Sequence, residues 1–396
     1  MKMNKKYVAY DSVFAKLMVK VEEDEVNLEI KGLLSPFLKN TKSKLEDQIK
    51  DSNFVLKNDK IYLSSSFPPI PSFAFKRLFK NEIKRFIGFN YPNNLTIMVT
   101  GECECDCEHC LASEMIGEHR LSKKDIKRLI DQALDLGVTQ IVFEGGEPTL
   151  REDLPELVNY VDERATTMVV TNGANLDEEY LDRLEKGLDY LLYSLDSPYP
   201  EKHNQFRKRE NLFQKVKEGI KKSVERDILT GILYIAHPGN SDYKHLKDLV
   251  DLGRSLGVFE VMIDEIVDSG SWREGNVLDE EDKARIKQFN EELLNQDIKI
   301  LNNFFLLRET ENFGCFAGKR WFYASPTGEI MPCMHTPISF GNIKDKSLKE
   351  IWKKIRSNSL FHDASKCVYE KEKYEEEILP KMLEKNQFPY KMYKNR

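Results

Sequence analysis

The chain has no apolar run long enough to span a bilayer, and 32% of its residues are charged, which excludes a polytopic membrane protein. It has no excess of positive charge: 60 Lys and Arg face 66 Asp and Glu, a net charge of −6 that leaves no footprint for nucleic acid. Cysteine is scarce, with seven among 396 residues, and no secretory signal opens the sequence. A disulfide framework is therefore not expected, and a reducing cytosol is. Internal repeats and low-complexity tracts are also missing. Abundant lysine and glutamate lean toward a thermophile.

The few cysteines are not scattered. Cys103, Cys105, Cys107 and Cys110 fall within eight residues, and three of them form the unit C-x3-C-x2-C. A cubane iron–sulfur cluster normally takes four protein thiolates, so three from one loop leave one iron open to an outside molecule. Structural zinc competes with this reading, but zinc sites usually pair two short Cys/His units across a modest spacer. Here the next cysteine after Cys110 is Cys315.

The flanking sequence supplies the context. Asn94 to Thr100 reads as a strand that delivers the cysteine loop, and Ser122 caps a helix carrying Ile126, Leu129, Ile130, Ala133 and Leu134, closed by Gly137. Gln140 to Phe143 is a second buried strand, running into Glu144-Gly-Gly-Glu-Pro148. Further strands are expected at Thr167–Gly173, Asp189–Asp196, Gly231–Ala236 and Phe259–Ile263. Strands alternating with helices in this rhythm predict a parallel sheet with right-handed crossovers.

With the cysteine triplet after one strand and Gly145-Gly146-Glu147-Pro148 after the next, the chain resembles the radical SAM superfamily over about residues 92–300. The resemblance implies a partial (β/α)6 TIM-like barrel, with its chemistry at the C-terminal ends of the strands. It implies that Cys103, Cys107 and Cys110 hold a [4Fe-4S] cluster whose open iron binds S-adenosylmethionine (SAM). Gly145, Gly146, Glu147, Pro148, Thr171, Asn172, Ser194, Asp196 and Arg207 then become candidates for binding SAM. For Arg207 and its neighbour His203, a loop held by local hydrogen bonds is the competing reading. Cys105 would occupy the iron that SAM needs, so it reads as a spare thiol. The implied reaction is reductive cleavage of SAM to a 5′-deoxyadenosyl radical, fed by a flavodoxin- or ferredoxin-like electron donor. That radical takes hydrogen from an unactivated substrate carbon. No catalytic side chain is assigned.

Cys315, Gly328 and Cys333 follow with the spacing C-x12-G-x4-C, and Cys367 comes last. This resembles a truncated SPASM/Twitch extension, a β-hairpin and helix module with an auxiliary iron–sulfur cluster. Its ligands would be Cys315, Cys333 and Cys367, with a fourth from elsewhere in the chain or from substrate; His335, His362 and Asp363 lie close in sequence and could serve, each against the reading of an exposed polar residue. Mononuclear iron or structural zinc at these cysteines stays open.

The expected organisation is a small α+β region over 1–71, a basic amphipathic helix and linker over 72–91, the core over 92–300 and the auxiliary extension over 301–396. In the first region, Val13–Val21 and Val26–Ile30 read as a strand pair, Leu45–Ile49 as helical, Phe54–Leu63 as a hairpin and Phe67-Pro-Pro-Ile-Pro71 as a stiff linker. The next helix puts Phe75, Leu78, Phe79, Ile83, Phe86 and Ile87 in one stripe beside Lys76, Arg77, Lys80, Lys84 and Arg85. Such a helix either packs on the barrel or lies in a membrane interface through residues 72–89. The membrane option favours a lipid alkyl chain as substrate, with carbon–carbon bond formation or chain modification. A peptide (RiPP) maturase, a small-molecule dehydrogenase and a non-catalytic iron–sulfur or zinc protein are the alternatives.

Overall fold

The computed structural model describes residues 4–22, 25–33, 54–293, 299–302 and 314–391, with isolated positions between 35 and 46. Of the expected helix at Leu45–Ile49, all but Glu46 lies outside the described residues. Three antiparallel strands open the chain: β1 (Asn4–Asp11), β2 (Lys16–Glu22) and β3 (Glu25–Lys31), in the order β1-β2-β3. The strand pair expected from sequence is β2 and β3. The third strand, β1, pairs Tyr7 with Val19 and Val8 with Met18.

A short hairpin follows, β4 (Val55–Lys57) and β5 (Lys60–Tyr62), turning through Asn58 and Asp59, both at positive φ. Asn and Asp tolerate that conformation better than other residues with side chains.

The barrel wall is β6 (Asn94–Met98), β7 (Gln140–Glu144), β8 (Thr166–Thr171), β9 (Tyr190–Ser194), β10 (Leu229–Ala236) and β11 (Glu260–Glu265). These six strands run parallel in sequential order, as a barrel wall requires. The structure extends both ends. β12 (Lys299–Asn302) adds a parallel strand beside β11, and β13 (Trp321–Ala324) adds one beside β6. β14 (Ile330–Met331) completes an antiparallel hairpin with β13, turning through Ser325-Pro-Thr-Gly328. Gly328 has φ +92°, which a Cβ would strain. A last pair, β15 (Ile338–Ser339) with β16 (Tyr390–Lys391), stands apart. The result is an α/β sheet of eight parallel strands and one antiparallel strand, continuous from the barrel into the C-terminal extension.

Alternation along the strands decides what faces the helices and what faces the bore. Leu95, Ile97, Ile141, Phe143, Val169, Leu191 and Tyr193 belong to the main core under the helices. Val142, Met168, Tyr190, Leu192 and Met262 point the other way and pack with Tyr62 and Val55 of the β4–β5 hairpin. The helix between β6 and β7 spans Lys123–Leu136. Ser122 accepts from the Asp125 N–H at its start, and Gly137 is left-handed at its end, as the sequence predicts.

The segment read as a stiff linker is instead the barrel floor. The Ser65 N–H donates to Glu260, Gln140 donates to the Ser65 carbonyl at 2.5 Å, and the Tyr190 hydroxyl donates to the Phe67 carbonyl at 2.9 Å. Gln140, Tyr190 and Glu260 are the first residues of β7, β9 and β11. Pro68, Pro69 and Ile70 are buried, and Ile70 exchanges both backbone bonds with Ile61. The mouth at the opposite, C-terminal ends of the strands is where the polar turns gather.

The basic helix spans Phe73–Phe86, and its apolar stripe is turned inward. Phe75 and Phe79 are buried in a core with Leu17, Val19 and Leu28 of the first sheet. The side chain of Phe86 lies outside the described residues. The cations also have internal partners: Arg77 bonds to the Leu134 carbonyl and Arg85 to the Tyr91 carbonyl. Glu82 forms two bonds to Arg320, at 2.5 and 2.9 Å, tying the helix to the C-terminal extension. Phe75 and Phe79 are thus packed, as the first of the two sequence readings for this helix expects, while Phe73, Ile87 and Phe89 stay exposed. No helix among the described residues is long and apolar enough to cross a membrane.

Burial alone would raise the Glu82 carboxyl, but Arg320 and Arg85 outweigh it and hold the group below its ordinary range. Its contribution is thus complete above the ordinary carboxylate pKa and fades as pH falls through the lower folded value. Glu82→Gln is expected to cost roughly 1–3 kcal/mol at neutral pH. That cost should shrink as pH falls through the lowered folded pKa, where the wild-type carboxyl itself takes up a proton. Melting curves across pH check both limbs.

Candidate active site at the barrel mouth

The cysteine loop leaves the end of β6 and is held from several sides. The Glu108 N–H donates to the Phe206 carbonyl at 3.1 Å, and Ser271 N–H to the Cys110 carbonyl at 3.0 Å. Lys208 pairs with Asp106 at 3.0 Å, and Arg209 donates to the Glu104 carbonyl. His109 stacks on Phe206 with ring centroids 4.5 Å apart, and Phe206 stacks in turn on His237. Burial depresses His109 to a pKa of about 3, so it packs as a neutral ring.

All seven cysteines are free thiols. Cys105 lies between two of the expected ligands and hydrogen-bonds to the sulfurs of both. That contact is the main cause lowering Cys103, and it takes Cys107 down to about 7, with Arg207 assisting. Cys105 itself is pushed upward by the same contacts, and burial pushes Cys110 up to about 12.

The Gly145-Gly146-Glu147-Pro148 turn is bolted to that loop. Gly146 N–H donates to the Thr100 carbonyl at 2.9 Å and Glu147 N–H to the Glu102 carbonyl at 2.7 Å. A Cβ on Gly146 would collide with the Glu102 carbonyl, so only glycine permits this approach. Glu147 is 1% exposed and saturated. It accepts from Thr149 N–H, the Thr149 and Thr171 hydroxyls and Asn172 N–H, at 2.5 to 3.0 Å. Burial pushes its pKa up and those donors oppose the rise. Glu147 thus braces the turn after β7 against the turn after β8. Thr171 and Asn172, expected near SAM, serve that brace, and the Asn172 amide also reaches Cys105 at 3.4 Å.

Ser194 ends β9 and is buried. Asp196 is fully buried and meets Arg207 Nε at 2.5 Å. Burial would raise Asp196, but Arg207 overrides it and drives the carboxyl well below the usual range. His203 accepts from the Asp196 N–H through Nδ1, at 3.2 Å, and burial holds it neutral with a pKa of about 4. Asp196 Oδ1 stays buried without a partner. Free thiols, a cradle only glycine allows and an unpaired buried acceptor fit a cluster with a bound polar cofactor.

In the C-terminal extension, Cys315 and Cys367 are buried and hydrogen-bonded to each other, which takes Cys315 down to about 6. Tyr374 lies close enough to both Cys333 and Cys367 to feel their charge. Among the described residues, no three His, Cys, Asp or Glu side chains are gathered around a single-ion position. Of the three expected fourth ligands, only His335 is buried. His362 Nε2 lies 3.1 Å from the Arg356 carbonyl, and Asp363 bonds to Ser365, both at the surface.

Two features of the mouth were not foreseen. Met98, Met115, Met331 and Met334 form a buried apolar cluster beneath it that touches Cys110, Tyr323 and Phe388, joining the first cysteine loop to the neighbourhood of Cys333. Glu144, one residue ahead of the glycine turn, ends β7 on the bore side. The signal was available: Gln140, Val142 and Glu144 alternate to one face, and the last sits at a strand's C-terminal end.

Comparison with known proteins identifies the class. Residues 97–253 match the Radical SAM superfamily and residues 315–376 match SPASM, an iron–sulfur cluster-binding domain. The chain belongs to the radical SAM superfamily and is an enzyme of that class. Its cofactors are a [4Fe-4S] cluster and SAM, with an auxiliary iron–sulfur cluster in the SPASM domain. The AdoMet-dependent heme synthase of Methanosarcina barkeri is 24% identical over 290 residues, covering 66% of this chain and 82% of that one. The PqqA peptide cyclase of Granulibacter bethesdensis is 26% identical over 280 residues, covering 66% and 74%. Streptococcus suis SuiB, in a crystal structure bound to the precursor peptide SuiA, shares the fold with a TM-score of 0.59. It covers 88% of both chains at 16% identity.

Proposed function

We propose that this enzyme modifies a peptide, taking hydrogen from an unactivated carbon of a chain that docks on the N-terminal sheet. The observation that carries this reading is the β1-β2-β3 sheet. One of its faces packs on the helix Phe73–Phe86, and no further strand pairs with β1 or β3 among the described residues. An antiparallel sheet with a free edge can take up an extended peptide by main-chain pairing. Val8, Val13 and Phe14 stand exposed beside that edge. The likeness to the fold of SuiB extends over 88% of the chain, and that protein was crystallised with a precursor peptide.

The lipid reading draws less support, because Phe75, Phe79 and the Phe67–Pro71 segment are packed internally. When bound, the cluster and SAM supply the 5′-deoxyadenosyl radical that removes a hydrogen atom. The chain's own residues do the rest. Cys103, Cys107 and Cys110 present three thiols from one loop, and the Gly145–Pro148 backbone receives the methionyl part of SAM. Ser194 and Asp196 Oδ1 offer acceptors on the adjoining strand end. Asp196 holds the Arg207 guanidinium beside Cys107, where the pair as a whole is neutral. Cys315, Cys333 and Cys367 take the auxiliary cluster, and the closed floor leaves the mouth as the route for substrate.

Short peptides encoded by reading frames flanking the gene, incubated with reduced holoenzyme and SAM, test the reading. A substrate peptide is expected to lose hydrogen by mass spectrometry and to slow deuterium exchange at β1 or β3 amides. Turnover of an iron–coproporphyrin with no peptide product would move the substrate class to tetrapyrroles.

A further inference from the structure

The two cysteine sites differ in the sign of the charge around them. The first loop interleaves its cysteines with Glu102, Glu104, Asp106 and Glu108. Lys208 pairs with Asp106, whereas Glu104 bonds to the Asn175 amide and Arg209 reaches only its carbonyl. At the auxiliary site the sign reverses. Lys371 donates to the Leu360 and Asp363 carbonyls at 2.9 and 2.6 Å, and Arg356 donates to the Gly318 carbonyl at 3.0 Å. Lys319 follows Gly318, and both Lys319 and Lys371 lie close enough to Cys315 to feel its thiolate. Among the described residues no carboxylate forms an ion pair with Lys319, Arg356 or Lys371.

More cations stand on the same segments. Lys353, Lys366 and Lys373 are exposed there, against the acids Asp363, Glu370 and Glu372, and the Asp363 carboxylate is taken up by Ser365. Arg85 of the basic helix joins from the side, donating to the Lys319 carbonyl at 3.3 Å. The cover over the cysteines is also thin. Cys315 N–H donates to the Ala364 carbonyl at 2.8 Å, and Cys367 follows Lys366 directly. His362, Asp363, Ser365 and Lys366 are all exposed. A single stretch of chain therefore separates Cys315 and Cys367 from solvent on this side.

We propose that this face docks an acidic one-electron carrier protein, of the flavin or iron–sulfur type, which passes an electron to the auxiliary cluster. Charge complementarity selects the occupant. A negatively charged carrier is drawn to Lys319, Lys366 and Lys371 and repelled by the acids of the first loop. Electron-transfer complexes bury little area, so a patch of this size is enough. In the step itself the carrier loses one electron and the cluster gains it, and no bond is made or broken. The inference rests on an auxiliary cluster held at Cys315, Cys333 and Cys367 and is independent of the substrate.

The test follows anaerobic stopped-flow bleaching of the iron–sulfur absorbance by a reduced acidic flavodoxin, with dithionite as the small reductant for comparison. Iron and sulfide counts first establish that the auxiliary site is loaded. In the holoenzyme the flavodoxin rate should fall steeply as salt rises. In Lys319→Gln/Lys353→Gln/Lys366→Gln it should drop at least about tenfold at low salt, with the dithionite rate, iron content and melting temperature unchanged. Cys107→Ala, which keeps only the auxiliary cluster, should still be reduced by flavodoxin at the holoenzyme's rate. Equal flavodoxin rates in wild type and the triple lysine variant overturn the proposal, as does a Cys107→Ala protein reduced by dithionite but not by flavodoxin. A holoenzyme rate that is flat or rises with salt overturns it without any variant.

Discussion

Replacing Cys103, Cys107 or Cys110 singly by alanine is expected to abolish the SAM-binding cluster and 5′-deoxyadenosine formation, whereas Cys105→Ala keeps both. The loss should be at least about three orders of magnitude in turnover, equivalent to about 4 kcal/mol of barrier. The reasoning is one of ligand number. A cubane with three protein thiolates keeps one iron for SAM, and removing any of the three leaves two anchors on a short loop. Cys105 sits between its neighbours as a hydrogen-bond partner, with the Asn172 amide at 3.4 Å. Its removal loses a contact and no anchor. Iron and sulfide counts on each variant, with 5′-deoxyadenosine measured under reduction, separate the two outcomes. Full cluster content in Cys107→Ala, or its loss in Cys105→Ala, would reassign the ligands.

A second large effect is expected at Asp196. Its side chain is fully buried and its main partner, Arg207, is 10% exposed. Breaking such a pair from one side strands a buried charge and typically costs about 3–5 kcal/mol. Asp196→Asn should therefore lower the melting temperature by about 5 °C. It should also weaken SAM binding, because Arg207 is then free to turn away from Cys107. Pairing it with Arg207→Leu should recover much of the stability and none of the SAM binding, since the stranded charge is removed but the local field is not restored. Melting curves and SAM titrations of the single and double variants read the two quantities separately. A double variant no more stable than Asp196→Asn alone would show that the pair is not what stabilises this corner.

The parts of the fold legible in sequence are those fixed by local pattern. The helix Lys123–Leu136 carries its own cap, apolar stripe and terminal glycine, and the six wall strands are short apolar runs ending in polar turns. The cysteine triplet and the glycine turn were legible because cluster chemistry and close backbone approach restrict both residue type and spacing. What escaped depends on partners far along the chain. Ser65 meets Gln140 and Glu260, 75 and 195 residues away, so the floor looked like a proline-stiffened linker. β13 pairs with β6 across the whole barrel sequence, which hid the continuity of the sheet. β1 was missed because Lys5, Lys6 and Asp11 dilute its apolar face. The basic helix left two readings open for another reason: a stripe buried in protein and one buried in lipid have the same period. Its partners, Leu134 and Arg320, reveal the difference only in three dimensions.

Electron paramagnetic resonance of the Cys315→Ala/Cys333→Ala/Cys367→Ala variant, reduced with and without SAM, tests the central claim most directly. With the auxiliary cysteines gone, a single [4Fe-4S]+ signal from the Cys103, Cys107 and Cys110 loop should remain, and SAM should change its g-values. No cluster signal in that variant, or a signal that SAM leaves unaltered, would contradict the account.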